Sequence, residues 1–244
     1  MLQVHSIETF SAHDGPGTRS VIFTQGCNLR CLYCHNPDTL ALNNPQASVM
    51  SAQDVVKLVK RYLPYYTADG GLTISGGEPT LQAKALLPIF AAVKKLGVHL
   101  ALDTNGSIIN PDVKKLYQLT DLVIFDAKHL DPDTHQRLTG QTNTQVLRNI
   151  QLRNAQCQPF WLRLVLIPGY TDDPHHLKAW GEAFAPLQYL SRVEILPYHT
   201  YAREKYQQLG WPYPLEGVAA ANQTDLASAQ KILRPYFKEK LLSR

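Results

Sequence analysis

Six short apolar runs, most of them separated by stretches with apolar positions at helical spacing, set the architecture open to this 244-residue chain. The runs lie at 19–25, 71–75, 98–104, 121–127, 160–167 and 192–198. Helical patterns fill 52–63, 84–96, 111–119, 144–155, 174–184 and 224–241. Strand, helix and strand in succession close as a parallel pair joined by a crossover helix. Six such strands are too few for the eight of a closed barrel. The predicted class is α/β: a partial (β/α)6 TIM-like barrel of parallel strands with outer helices. No Ser/Gly-rich linker, repeat or low-complexity tract interrupts 1–244, so a single domain is expected.

In such an architecture the loops at the carboxyl ends of the strands build the site. The polar residues gather there. The first strand delivers the loop 26–36, GCNLRCLYCHN, and the second ends in Ser75-Gly76-Gly77-Glu78. The third ends in Asp103-Thr104-Asn105-Gly106, the fourth in Asp126 and Lys128, the fifth in Pro168-Gly169 and the last in His199. Paired glycines admit a ligand to the backbone, and Glu78 offers a carboxylate to a ligand ammonium. The plain alternative is a tight turn with a surface acid. Asp103 and Asp126 suit a cation or ligand hydroxyls, or serve as helix caps. Lys128, two residues past Asp126, shares its side of an extended chain and suits a ligand carboxylate. Arg163, a cation amid apolar neighbours, needs a partner: an anionic ligand or a rim carboxylate. His199, placed at the rim, reads as a ligand contact.

Three of the four cysteines, Cys27, Cys31 and Cys34, fall within eight residues. Thiolates gathered that tightly are ligands, and a cubane iron–sulfur cluster normally takes four. Three leave one iron without a protein ligand, able to bind and activate a small molecule. A structural zinc site would need a fourth donor such as His35, but Cys34 and His35 are chain neighbours and pair awkwardly on one ion. A disulfide framework needs an oxidising compartment, for which nothing argues. Cys157 reads as a small core residue, with the fourth ligand as its alternative.

Composition narrows the class further. With 44% hydrophobic and 18% charged residues the chain is an ordinary globular protein. No apolar run approaches the ~18 residues of a membrane span, and the N-terminus lacks the basic-then-apolar pattern of a secretory signal. Unpaired thiols then fit a cytoplasmic location. The net charge of +4 is spread without Lys/Arg blocks, which argues against nucleic acid and suits an acidic protein partner.

The triplet Cys27, Cys31 and Cys34, with Tyr33 before its last member, resembles the signature of the radical S-adenosylmethionine (SAM) superfamily. SGGEP at 75–79 resembles that superfamily's motif for the methionine amino group. DGPGTR (14–19), LDTNG (102–106), TDLVIFDAKHL (120–130), IPGYTDD (167–173) and LPYH (196–199) narrow the resemblance to activating enzymes of glycyl radical enzymes, over nearly the full length. The absence of a cysteine-rich insert after Cys34 favours the compact branch that acts on pyruvate formate-lyase. The resemblance implies a [4Fe-4S] cluster on Cys27, Cys31 and Cys34 whose open iron chelates SAM. Reductive cleavage there gives a 5′-deoxyadenosyl radical, which takes a hydrogen from a glycine Cα of the partner. By similarity Tyr33, Cys34, His35, Gly77, Glu78, Asp126, Ala127, Lys128 and His199 line the SAM site. Asp103, Thr104 and Asp126 match a monovalent-cation site, and Asp14 lies where the partner's glycine segment approaches. A flavodoxin- or ferredoxin-like reductant and a monomeric state are also expected. Two departures stand out: Thr80 after Glu78-Pro79, and TYAREKY after His199. The competing expectations are an activase for a different glycyl radical enzyme, another radical SAM enzyme, or a non-catalytic iron–sulfur electron-transfer module.

Overall fold

The computed structural model describes residues 1–243. The chain divides into two compact units, 1–28 with 39–124, and 29–38 with Phe125 onward. The division passes through the cysteine loop and through one strand.

The first unit holds β1 (Leu2–Ser11), β2 (Arg19–Thr24), β3 (Ser48–Met50), α1 (Ala52–Tyr62), β4 (Gly71–Gly76), α2 (Ala83–Lys94), β5 (His99–Thr104) and α3 (Pro111–Leu119). Its strands run in the order β3-β1-β2-β4-β5. β1 pairs antiparallel with β2 and with β3, whereas β2 with β4 and β4 with β5 are parallel. Parallel strands are covered on both faces and so read as unbroken apolar runs. Val21, Ile22, Leu72, Ile74, Leu100 and Leu102 are accordingly fully buried. Each contributes about 1.5–3 kcal/mol relative to exposure. α1 starts where Ser51 and Asp54 close a capping box. The register places Thr24 opposite Gly76, so the cysteine loop and the SGGEP turn leave the sheet at the same level.

β6 (Leu122–Asp126) carries the chain into the second unit. There follow α4 (Pro132–Thr139), α5 (Thr144–Ala155), β7 (Phe160–Leu166), α6 (Pro174–Phe184), β8 (Leu190–Pro197), α7 (Arg203–Gln208), α8 (Gln223–Phe237) and β9 (Leu241–Ser243). β7, β8 and β9 pair in parallel in that order. Trp180, fully buried on α6, meets Phe184 and Phe237 edge-on and donates from Nε1 to the Ala127 carbonyl at 3.0 Å.

The α/β class and all six expected strands are present, but nine strands occur among the described residues. β1, β3 and β9 lie outside the expected pattern. The middle of β1, residues 6–9, is largely exposed, Ile7 included, and gives no clean alternation. The last helix ends at Phe237 rather than 241, because Lys238 turns to φ 51° and residues 241–243 pair with β8. Cys157 is also corrected. It is exposed, at φ 57° in the turn after α5, and so is not a core residue. Arg163, a cation amid apolar neighbours, donates from Nε to Glu194 Oε2 at 2.8 Å, on the adjoining strand β8. Arg192, 3.7 Å from the same carboxylate, stacks over Trp161.

Candidate functional site

In the first unit the chain leaves β2 through Gly26, and two hydrogen bonds close the far end of the cysteine loop. Gly26 N–H donates to the Thr39 carbonyl at 2.8 Å and Cys27 N–H to the Leu40 carbonyl at 3.4 Å. Cys27 is thereby held at the strand's end with 7% of its surface exposed. The SGGEP turn lies against this exit. A Cβ on Gly77 would sit 2.2 Å from the Gly26 carbonyl oxygen, and one on Gly76, which is at φ 111°, would sit 2.2 Å from Thr24 N. Only glycine permits both the conformation and the approach.

Glu78 is fully buried. Its Oε1 accepts from Thr80 N–H at 2.9 Å, Thr80 Oγ1 at 2.5 Å and Thr104 Oγ1 at 2.7 Å, and its Oε2 from Asn105 N–H at 2.7 Å. Burial pushes its carboxyl up, against the pull of these bonds. The Glu78 carboxylate therefore braces the SGGEP turn to the DTNG loop. Asp103 accepts from Ser75 Oγ at 3.2 Å. Asp14 accepts from Ser11 Oγ at 2.5 Å, and its carbonyl from Thr73 Oγ1 at 2.7 Å. The fully buried Arg19 next to it donates to Thr73 Oγ1 and the Pro16 carbonyl. Burial, only partly offset by Asp14, lowers that guanidinium to about 10.

The second unit carries the rest of the cysteine loop. Arg30 and Leu32 N–H donate to the Thr139 and Leu138 carbonyls at 2.8 and 2.9 Å, fastening the loop to the end of α4. Cys34 N–H donates to the Cys31 carbonyl at 3.0 Å, closing a turn between the two cysteines. Burial pushes the Cys31 thiol up, while the Lys128 ammonium pulls it down. Lys128, 8% exposed, donates to Asp126 Oδ2 at 2.7 Å and lies 5.5 Å from the Tyr33 ring centre. Burial opposes its charge, but Asp126, Tyr33 and Cys31 outweigh burial and hold it well above the ordinary lysine range. The neutral Ala127 between them has both backbone groups engaged, N–H to the Arg163 carbonyl and C=O from Trp180. It frames its two charged neighbours. His35 and His199 pack at 3.9 Å between ring centres. Burial, then the His199 and Lys205 charges, lowers His35 to about 4, so its ring is neutral at physiological pH.

The structure thus brings Tyr33, Asp126 and Lys128 together, and His35 with His199. Glu78 and Thr104 meet, as do Ser75 and Asp103. Cys27, Asp103 and Thr104 belong to the first unit, and Cys31, Cys34 and Asp126 to the second. Sequence reasoning passed over three groups. Lys205 on α7 donates to Asn36 Oδ1 at 2.8 Å and contacts Asp38 Oδ2 at 3.2 Å, clasping the loop just past Cys34. Tyr198, bonded to Tyr213 through their hydroxyls at 2.6 Å, packs with Ile167 and Leu215 under Leu32 and Tyr33. Asn105 donates from its amide to Cys27 Sγ at 3.8 Å. Only the proximity of Lys205-Tyr206 to LPYH, and of Asn105 to Asp103, marked these residues in the sequence.

The donor set suits an iron–sulfur cluster. None of the four cysteines is in a disulfide, and thiolates are the ordinary ligands of iron–sulfur clusters. Among the described residues no three His, Cys, Asp or Glu converge as ligands of one ion would. The thiolates of a cubane, each on its own iron, need no such convergence.

A family model for the radical SAM superfamily matches residues 21–180. A pyruvate formate-lyase-activating enzyme of Streptococcus mutans is 40% identical over 247 residues, covering 99% of this chain and 94% of that protein. One of Staphylococcus aureus is 42% identical over 246 residues, covering 98% and 96%. Among solved structures, a domain of pyruvate-formate lyase-activating enzyme from Bacteroides vulgatus superposes with a TM-score of 0.60 at 25% identity, over 72% of this chain and 99% of that one. Streptococcus suis SuiB bound to S-adenosylmethionine reaches a TM-score of 0.71 at 14% identity, over 92% and 49%, a likeness of fold alone.

Proposed function

The chain belongs to the radical SAM superfamily and, within it, to the pyruvate formate-lyase-activating enzymes, and from that premise we propose that it installs a glycyl radical on pyruvate formate-lyase. The family implies a [4Fe-4S] cluster and SAM, which when bound supply a radical able to take hydrogen from a glycine Cα. The protein's own share is binding, orientation and exclusion of water.

Cys27, Cys31 and Cys34 would hold three irons. The cation of Lys128 stands beside Cys31 and suits the carboxylate of the methionine end, with Asp126 keeping it charged. Because the Glu78 side chain is turned inward, recognition at the SGGEP turn passes to the backbone around Gly77, which Glu78 stiffens. The neutral His35–His199 pair, its rings tilted by 56°, offers a weakly polar aromatic surface to an adenine or ribose. Asp103, Thr104 and Asp126 are the proposed ligands of a monovalent cation, and Asp14 the contact for the partner's glycine segment. We place the protein in the cytoplasm as a monomer reduced by a flavodoxin- or ferredoxin-like protein. Among the described residues no helix is long and apolar enough to cross a membrane.

End-to-end similarity at 40–42% to named activases, with the CxxxCxxC triplet intact, is the observation that carries the reading. The test is anaerobic incubation with reductant, SAM and pyruvate formate-lyase, read by electron paramagnetic resonance. A glycyl doublet is expected. A reduced cluster without that doublet refutes the partner, and a doublet only on another glycyl radical enzyme replaces it.

A further inference from the structure

The DTNG loop carries an asparagine that no cluster ligand or cation site requires. Asn105, 5% exposed, points its amide nitrogen at two groups: Cys27 Sγ at 3.8 Å and Asn28 Oδ1 at 3.2 Å. Its amide oxygen accepts from Ser107 Oγ at 2.6 Å, and Asn28 Nδ2 donates to that hydroxyl at 2.8 Å. The three side chains form a closed ring of hydrogen bonds.

A ring of amides and a hydroxyl has two possible directions, and here one backbone group decides between them. Ser107 N–H also faces Asn105 Oδ1, at 2.9 Å. A backbone N–H only donates, so the atom facing it must be the carbonyl oxygen. The –NH2 is then compelled to face Cys27 and Asn28. The loop itself is pinned, since Asn105 N–H donates to the buried Glu78 carboxylate. From this geometry we infer that Asn105 is a positioning and tuning residue for the cluster, a fixed N–H donor to the sulfur of Cys27. The inference rests on the proposed function, which makes Cys27 a cluster ligand.

Hydrogen bonds to cluster sulfurs set reduction potential along with charge and solvent exposure. Reduction adds negative charge that spreads onto the sulfurs, and an N–H donor stabilises that state more than the oxidised one. Asn105 therefore raises the potential and eases the first electron into the site. Asn105→Ala removes the donor. Asn105→Asp keeps the acceptor for Ser107 but aims a carboxylate oxygen at the sulfur.

The experiment is a redox titration of the anaerobically reconstituted full chain, followed by electron paramagnetic resonance, with iron content measured on each sample. The expected order of potentials is wild type, then Asn105→Ala, then Asn105→Asp. The reduced-to-oxidised ratio of Asn105→Ala at fixed ambient potential should fall about tenfold, ~59 mV for a one-electron couple. Ser107→Ala retains the backbone lock and should stay near wild type. Potentials at or above wild type in both Asn105 variants, with iron retained, overturn the inference. Loss of iron from both, with unfolding curves unchanged, overturns tuning and makes Asn105 an assembly residue. Wild-type protein that takes up no cluster sinks the functional reading underneath instead.

Discussion

Glu78→Gln, an isosteric change of one atom, should damage the rim severely. Each carboxylate oxygen of Glu78 faces a backbone N–H, Thr80 at 2.9 Å and Asn105 at 2.7 Å. The two hydroxyl donors, on Thr80 and Thr104, can rotate to accept instead, but the backbone groups cannot. Whichever way a glutamine amide is turned, its –NH2 opposes one of those N–H groups. A hydrogen bond to a charged acceptor is lost and a buried donor is left without a partner. Each of these costs ~1–3 kcal/mol. Relief from burying a charge returns part of that, so the net loss should be about 2–4 kcal/mol. That is a large part of a typical stability of about 5–15 kcal/mol. Two measurements suit the test: urea unfolding, and hydrogen exchange on peptides spanning residues 78–82 and 103–107. One of the two amides should lose protection, together with affinity for SAM. Stability within ~0.5 kcal/mol of wild type, with both amides still protected, refutes the brace.

Three further outcomes follow from the same geometry. Gly77→Ala would set a methyl 2.2 Å from the Gly26 carbonyl, so the turn must move. Calorimetric titration of the reconstituted protein should show SAM binding weakened at least about tenfold, ~1.4 kcal/mol, whereas retained affinity removes the turn from the site. Lys128→Met keeps the apolar stem but removes the charge held by Asp126 at 2.7 Å. Iron content should hold while SAM affinity falls by about tenfold or more, and unchanged affinity excludes Lys128. Finally, His176 on α6 stacks on His129 at 3.8 Å, and its buried Nε2 has no hydrogen-bond partner among the described residues. Burial, then the His129 charge, lowers it from 6.5 to about 4, against Asp173 and Asp131. The folded state therefore binds fewer protons than the unfolded one between those values, and stability falls as pH drops through that window. The full span is worth ~3 kcal/mol. His176→Phe should flatten the slope in urea midpoints between pH 7 and 4.5, and an identical slope refutes the assignment.

Much of the site was legible because its chemistry is local in the chain. Thiolates three and four residues apart, glycines closing a strand and a lysine two positions past an aspartate owe their meaning to near neighbours. The six main strands were legible for the same reason, since buried parallel strands are continuous apolar runs. β1 was not, because its middle is exposed without a regular apolar alternation, and its place depends on pairing with β2 and β3. Cys157 misled because a free cysteine is ordinarily a small core residue, whereas a left-handed turn puts this one in solvent.

What folding alone decided is which polar groups share a hydrogen bond across long separations. Glu78 reads in the chain as an acid for a ligand, yet Thr104 and Asn105, 26 and 27 residues on, turn it into a brace. Arg163 is answered by Glu194, 31 residues away, and Asn105 reaches back 78 residues to Cys27. Such partners are set by the register of neighbouring strands and the loops they carry. A buried charge or amide acquires its role from whatever that register brings within about 3 Å.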